Sequence, residues 1–306
     1  MTLATRIVYL DRNILGDIRT RMICSTDAFE TIRNAVRVGR IRIPLSLTVL
    51  EETLPVIQVN SSFKKVGDLQ IVRELLDWSG VYIRPHVELL YEDVMAYARG
   101  VPLPSRWKPI NFTPEEVLSP PPGKLAKLSG VVDVTKDQLA RNLKSMQDAK
   151  QAFKDKFADE NGKLKFAKDV TFPNIWKGLS IGIAGDLAEY LGVRRECEAR
   201  GLGGLLELRT VKLYVGYGLS YGYGKFILGE RMTGGDSRDH HHTVQASVAD
   251  IFVTHDAALA RTLKRIPIAN FHIANLDGLL NWLKFQEGFD WDCLSSGLNF
   301  PLVCGE

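Results

Sequence analysis

Two short apolar runs at opposite ends of the chain constrain its fold most. Near the amino terminus Ile7-Val8-Tyr9-Leu10 leads straight into Asp11. Near the carboxyl terminus Ala249 to Val253 leads into Thr254-His255-Asp256. Both runs are rich in β-branched and aromatic residues and too short for a helix, which is the pattern of strands buried on both faces of a parallel sheet. Such strands need helices on both faces, and the neighbouring patterns supply them. Asn13 to Ile23 reads as helical. A helix capped by Ser25 or Thr26 follows, carrying Phe29, Ile32 and Val36 at helical spacing and ending at Gly39. Ile41 to Pro44 is a second strand, and Ser46 or Thr48 caps the helix that carries Glu51 and Glu52. Leu69 to Trp78 is helical and Val81 to Arg84 a third strand. At the far end, Ala249 to Val253 is a strand, Ala257 to Lys264 a helix, Ile266 to Phe271 a last strand and Leu276 to Phe285 a closing helix. The alternation predicts an α/β fold, a doubly wound parallel sheet flanked by helices and interrupted by a mostly helical insertion. The expected division is a core of 1–87 plus 231–289, an insertion of 88–230 and a tail of 290–306.

With 306 residues, 45% of them hydrophobic, the chain has enough apolar material for a large core. Within the insertion, Val101 to Gly123 is proline-rich and reads as irregular, with Thr113-Pro114-Glu115-Glu116 resembling a capping box. Thr135 to Ala158 is an amphipathic helix. One stripe carries Leu139, Leu143, Met146, Phe153 and Phe157; the other face carries Arg141, Lys144, Lys150, Lys154 and Lys156. That basic face reads as solvated, with a nucleic-acid surface as the alternative. Leu179 to about Leu205 reads as packed helix. Tyr214 to Gly224 lacks the setting of a dinucleotide or phosphate loop and reads as structural, its glycines admitting close approach and its tyrosines packing. A net charge of +3 permits a nucleic-acid partner. No membrane span and no signal peptide are expected. The cysteines lack metal or disulfide spacing, which points to reduced thiols in a cytoplasmic protein.

The acids carry the functional argument. Asp11 ends the first strand, Glu51 and Glu52 follow the second, Asp239 opens the helix leading into the fourth, and Asp256 follows that fourth strand. Where the winding of an open sheet reverses, the carboxyl ends of neighbouring strands line a crevice. Carboxylates gathered there repel one another unless a cation lies between them. An oxygen-rich set without ligand-spaced thiols suits Mg²⁺ or Mn²⁺, which activate water and offset charge on a phosphodiester. Asp11, Asp239 and Asp256 also each read as helix caps, and Glu51 as a solvated charge. The run His240-His241-His242 cannot face one point, because successive helical residues diverge by about 100°.

Four segments together resemble the PIN-domain nucleases: Val8 to Leu15, Ile43 to Glu52, Asp239-His240-His241-His242 with Ala246 beyond it, and Asp250 to Asp256. The resemblance implies strand order 3-2-1-4-5 and a Mg²⁺- or Mn²⁺-dependent nuclease, RNA being preferred over DNA. By carry-over Asp11, Glu51, Asp239 and Asp256 hold the metal, and Glu51 completes its shell or orients the attacking water. Glu52 is the alternative to Glu51, and Asp236 to Asp239. Asn13 matches the family's asparagine after the first aspartate. Thr254 orients Asp256 or a metal-bound water, His242 is a substrate or supporting contact, and Lys225, Arg231 and Arg238 hold the phosphate backbone. Asp250 falls at the wrong end of its strand, and His255 points away from the crevice. An inhibitor or partner protein and a homo-oligomer are further expected partners. The alternative functions are a PIN-like RNA- or protein-binding module that does not cut, and a DNA-directed nuclease.

Overall fold

The computed structural model describes residues 4–24, 27–50, 52–53, 70–111, 114, 141, 143–145, 147–160, 170–231 and 236–284. The chain runs through β1 (Arg6–Leu10), α1 (Arg12–Cys24), α2 (Asp27–Arg37), β2 (Ile41–Arg42), β3 (Pro44–Ser46), β4 (Asp77–Ile83), α3 (His86–Arg99) and β5 (Trp107–Pro109). It continues through α4 (Phe172–Tyr190), α5 (Arg194–Arg200), α6 (Arg209–Gly222), α7 (Asp236–Gln245), β6 (Ile251–Val253), α8 (Ala257–Lys264), β7 (His272–Ala274) and α9 (Leu276–Lys284). Residues 147–157 are helical as well.

β1 is buried from Val8 onward because both of its edges and both of its faces are covered. It pairs in parallel with β2 on one edge and β6 on the other, in the register Val8 to Ile251, Tyr9 to Phe252 and Leu10 to Val253. β7 extends this sheet beyond β6, again in parallel, so the order is β2-β1-β6-β7. Parallel neighbours require crossover connections, and α1 with α2 and α8 supply two of them. Ile14, Leu15 and Ile18 of α1, Phe29 and Ile32 of α2, and Leu279 and Leu283 of α9 close over the sheet. Full burial of each such side chain contributes about 1.5–3 kcal/mol, as an upper estimate.

The α/β architecture and its parallel sheet stand as expected, but the order 3-2-1-4-5 is not matched. The third strand pairs elsewhere, in a separate sheet ordered β3-β4-β5. Pro44 carries no N–H with which to extend the ladder toward β1, so that ladder stops at Arg42. Beyond Ile43 the chain pairs with β4 instead, through an irregularity between Pro44 and Leu45. β5 adds an antiparallel edge to β4, so part of the proline-rich stretch from Val101 is ordered strand. The last strand is also displaced. Ile266 and Ile268 form a turn, Asn270 takes a left-handed φ of 55°, and the strand begins only at His272. α7 begins at Asp236, one turn before the expected Asp239. The tail 290–306 and, apart from Pro114, the expected capping box at Thr113-Pro114-Glu115-Glu116 lie outside the described residues.

The helical part packs onto the sheet through α6, which contains most of the stretch Tyr214 to Gly224 read as structural. Leu213 and Tyr217 face the sheet core, whereas Val211, Val215 and Leu219, about 200° around the helix, join a second core. That second core is built from Leu90, Val94 and Ala98 of α3, Ala184 and Ala188 of α4 and the Cys197 thiol of α5. Gly216 is where α6 meets the turn after α8, since a Cβ there would stand 2.5 Å from Ile266 Cγ2. Asp93, fully buried on α3, accepts hydrogen bonds from Arg106 and Thr210 and so ties α3 to α6 and to the chain entering β5. Among the described residues no helix is long and apolar enough to cross a membrane.

Candidate active site at the carboxyl end of β1

Tyr9 places a phenol in an otherwise aliphatic strand. A buried hydroxyl left without partners costs about 1–3 kcal/mol, so its surroundings must supply them. Its Oη lies 2.8 Å from His242 Nδ1 and 3.2 Å from Ser46 Oγ, and donates to Gln245 Oε1 at 3.2 Å. Ser46 Oγ in turn donates to Gln245 Oε1 at 2.9 Å, and Gln245 Nε2 donates to the Arg84 carbonyl at 3.3 Å. Ser46 also accepts the Val49 N–H at 3.3 Å, the expected cap of the helix leading to Glu52.

α7 brings Arg238, His242 and Gln245 to one face by their i, i+4, i+7 spacing. His242 is 1% exposed, and its Nε2 lies 3.0 Å from Glu52 Oε2. Arg238 Nη1 reaches the other oxygen of Glu52 at 3.5 Å. The remaining histidines of the run point elsewhere, as helical geometry requires. His240 stacks on Tyr214 and Tyr217 of α6, with ring centroids 4.6 and 4.9 Å away. His241 stacks on His86 of α3 at 3.7 Å. Burial pushes His86 and His240 down to about 4, so this pair of stacks is built from neutral rings.

β1 and β6 deliver the aspartates. Asp11 is 4% exposed, and its Oδ2 accepts from Thr254 Oγ1 at 2.8 Å. Thr254 Oγ1 itself accepts the Asp256 N–H at 3.0 Å, so one hydroxyl links the two strand ends. Asp256 Oδ1 caps α8, accepting from the N–H groups of Ala258 at 2.7 Å and Leu259 at 2.9 Å. The carboxylates are felt in the titration of their neighbours. Burial pushes Asp11 upward and Glu52 adds to that, against relief from His242 and Thr254. Burial would also raise Glu52, but His242, Arg238 and Arg12 outweigh it and hold this carboxyl below its ordinary range. For His242, burial favours the neutral ring, yet the bond to Glu52 and the charges of Glu52, Asp11 and Asp239 raise it above its ordinary value.

Asp11, Glu52, Asp239, Asp256, Thr254, His242 and Arg238 are therefore gathered about the ends of β1 and β6. Asn13 is exposed on α1, two residues after Asp11. Glu51 and the side chain of Asp236 lie outside the described residues. Asp250 sits at the opposite edge of the sheet, where its Oδ2 accepts the Ile7 N–H at 2.8 Å. His255 turns outward and pairs with Asp17 at 2.7 Å. Lys225, expected on phosphate, is buried instead, with Nζ donating to the Arg231 carbonyl and lying over the Tyr221 ring. The sequence reading missed Tyr9 and Gln245. The available signal was polarity at a position where burial is otherwise complete.

Carboxylate oxygens make a donor set suited to a hard divalent cation, and His242, both of whose nitrogens are engaged by Tyr9 and Glu52, stands outside it. A desolvated Asp11, raised further by Glu52, is a carboxyl whose ionised form a nearby cation would favour. The acids thus fit such an ion in chemistry, although among the described residues no group of three or more His, Cys, Asp or Glu is arranged to hold one. Comparison with protein-family models, with curated proteins and with solved structures gave no match.

Proposed function

We propose that the chain is a Mg²⁺- or Mn²⁺-dependent nuclease of the PIN-like kind, cutting RNA in preference to DNA. The observation that carries the reading is the buried pair of His242 and Glu52, 3.0 Å apart, beside Asp11 and Thr254 at the ends of the adjacent strands β1 and β6. The parallel neighbours β1 and β6 supply the adjacent strand ends that the reading asks for. Asp11, Asp239 and the free oxygen of Asp256 would hold the ion, with Glu52, or Glu51 beside it, completing the set. When bound, the ion makes water a nucleophile at neutral pH and offsets charge on the phosphodiester. The chain's own residues fix the geometry. Thr254 holds the Asp11 carboxylate; Tyr9 holds His242, and His242 holds Glu52. Glu52, held ionised by His242 and Arg238, would orient the attacking water. Arg238, paired with Glu52, and the exposed Asn13 would contact a substrate phosphate.

Three substitutions test the reading on labelled single-stranded RNA and DNA oligonucleotides with Mg²⁺ or Mn²⁺. Asp11→Asn and Glu52→Gln should each lower the cleavage rate at least about a hundredfold, the scale of loss when an electrostatic or proton-handling group is removed. Asp256→Asn should lose activity while keeping an amide oxygen for the α8 cap, so its melting temperature should change little. Full cleavage by Asp11→Asn would sink the assignment. A second reading, a PIN-like module that binds RNA or protein without cutting, is favoured by one observation. The acids are already partnered internally, Asp256 by the helix cap and Glu52 by His242 and Arg238. Mn²⁺ titration calorimetry separates the two, because the module would bind RNA but take up no ion at the crevice.

A further inference from the structure

We infer that Gln245 is a positioning residue for Glu52, acting through Tyr9 and His242, and that the second sheet sets it in place. Gln245 is fully buried at the end of α7. Its amide is held by the carboxyl ends of β3 and β4. Arg84 follows β4, and its carbonyl accepts from Gln245 Nε2 at 3.3 Å. Ser46 ends β3 and donates to Gln245 Oε1 at 2.9 Å. A carbonyl can only accept, so it fixes which end of the amide is which. The reverse orientation would set two oxygens against each other. The amide oxygen is therefore turned to Tyr9 and Ser46, and it can only accept from them. Tyr9 Oη donates to it at 3.2 Å. Ser46 is satisfied on both sides, since its Oγ also accepts the Val49 N–H at 3.3 Å.

The phenol has one proton, and Gln245 takes it. What Tyr9 presents to His242 Nδ1, 2.8 Å away, is a lone pair, so the ring nitrogen is the donor of that bond. The imidazole is thereby held at its Nδ1 edge, with Nε2 3.0 Å from Glu52 Oε2. Without Gln245 the phenol proton would be free to turn to Nδ1, and the bond would reverse. Gln245 thus reaches the carboxylate through three hydrogen bonds in series. The departure of β3 from the first sheet has its consequence here. The ends of β3 and β4, neighbours in the second sheet, together hold the amide that orders the site. This role rests on the nuclease reading of Glu52, but its first test does not depend on cleavage.

The first measurement is the nitrogen–proton correlation spectrum of the histidine rings in metal-free protein, with His242 assigned by its absence from His242→Gln. The wild type should show a hydrogen on Nδ1; a bare Nδ1 there would overturn the inference without any variant. Gln245→Met, close in length and without either polar end, should lose that signal and move Nδ1 toward the shift of a bare ring nitrogen. Gln245→Glu should restore it, because a buried neutral carboxyl keeps both the acceptor and a hydrogen for the Arg84 carbonyl. The second measurement is cleavage of single-stranded RNA with Mn²⁺. Gln245→Met and Tyr9→Phe should each lower kcat on the order of tenfold with KM unchanged, the scale of loss when a group that orients a ligand is removed. The double variant should lose no more than either single, because the two act in series. Losses that multiply, or an Nδ1 signal unchanged in Gln245→Met, would overturn the inference. A wild type that cuts no RNA would overturn the nuclease reading alone, and the ring signal would then decide the network.

Discussion

At the scale of single residues, His242 is the hinge of the site, because its two nitrogens join a neutral phenol to an ionised carboxylate. The pH response follows from the directions of the shifts. His242 is raised above 6.5, so its contribution to stability is complete below that value and is lost as pH climbs through the folded-state pKa. Glu52 is held below 4.5, so its contribution is present above that value and is lost as pH falls through the folded-state pKa. Asp11 acts in the opposite sense: its carboxyl is raised, which favours the folded state in acid and loses that advantage as pH rises above 3.8. Urea midpoints measured in EDTA should therefore fall between about pH 6 and pH 9, and His242→Gln should flatten that decline. A decline of the same size in His242→Gln would place its origin elsewhere.

Residues also show what was legible in the sequence. Asp11, Thr254 and Asp256 were readable because an all-apolar strand that stops on a polar residue puts it at the sheet edge. The sequence leaves Glu51 and Glu52 both open, since neighbours on a helix differ by about 100° and nothing in it sets the absolute rotation. Tyr9 was counted as apolar bulk, although its hydroxyl organises Ser46, His242 and Gln245. The displaced last strand has a similar origin. Ile266 is apolar because it packs against α6 and Ile268 because it packs on the sheet core, not because they pair, and the real strand is a half-buried edge with little apolar signal.

At the scale of elements, α6 is decided by close approach. Replacing glycine with alanine in a helix ordinarily gains about 1 kcal/mol in propensity. At Gly216 the new methyl would meet Ile266 Cγ2 at 2.5 Å, and Ile266 is 6% exposed and stiff at its branched carbon. Overpacking of that kind costs about 1–3 kcal/mol, so the clash outweighs the propensity gain. Gly218, two positions on, faces open space. Gly218→Ala should accordingly raise the urea midpoint and Gly216→Ala should lower it, and equal effects at the two sites would refute the packing argument. The tyrosines of this helix were read correctly as packing groups, but the helix itself was hidden by glycines that ordinarily argue against one.

At the scale of the whole molecule, the sheet core and the helical core share α6 and are pinned together by Asp93 with Arg106 and Thr210. Two clusters that share an element and a buried charge should not melt independently. Unfolding followed by far-ultraviolet dichroism and by tryptophan fluorescence should coincide. Asp93→Ala, which leaves Arg106 partly buried without its carboxylate, should separate the two curves or lower both by up to about 3 kcal/mol. Two well-resolved transitions in the wild type would mean that the cores are separate units. The break in βα alternation marks where the chain leaves the sheet for the helices of the second core. The shared helix was not legible in the sequence, because its two apolar faces belong to different cores and no single stripe marks it.

His240 gives that shared helix a further meaning. It rides on α7, one residue after Asp239, and is gripped by Tyr214 and Tyr217 of α6. The acid-bearing helix is therefore seated by the same segment that a protein engineer would remove when trimming residues 88–230 to the sheet alone. Such a trimmed chain would bare the sheet face that Leu213 and Tyr217 cover and would leave α7 without its rest. Any shortened version has to keep or rebuild Arg209–Gly222.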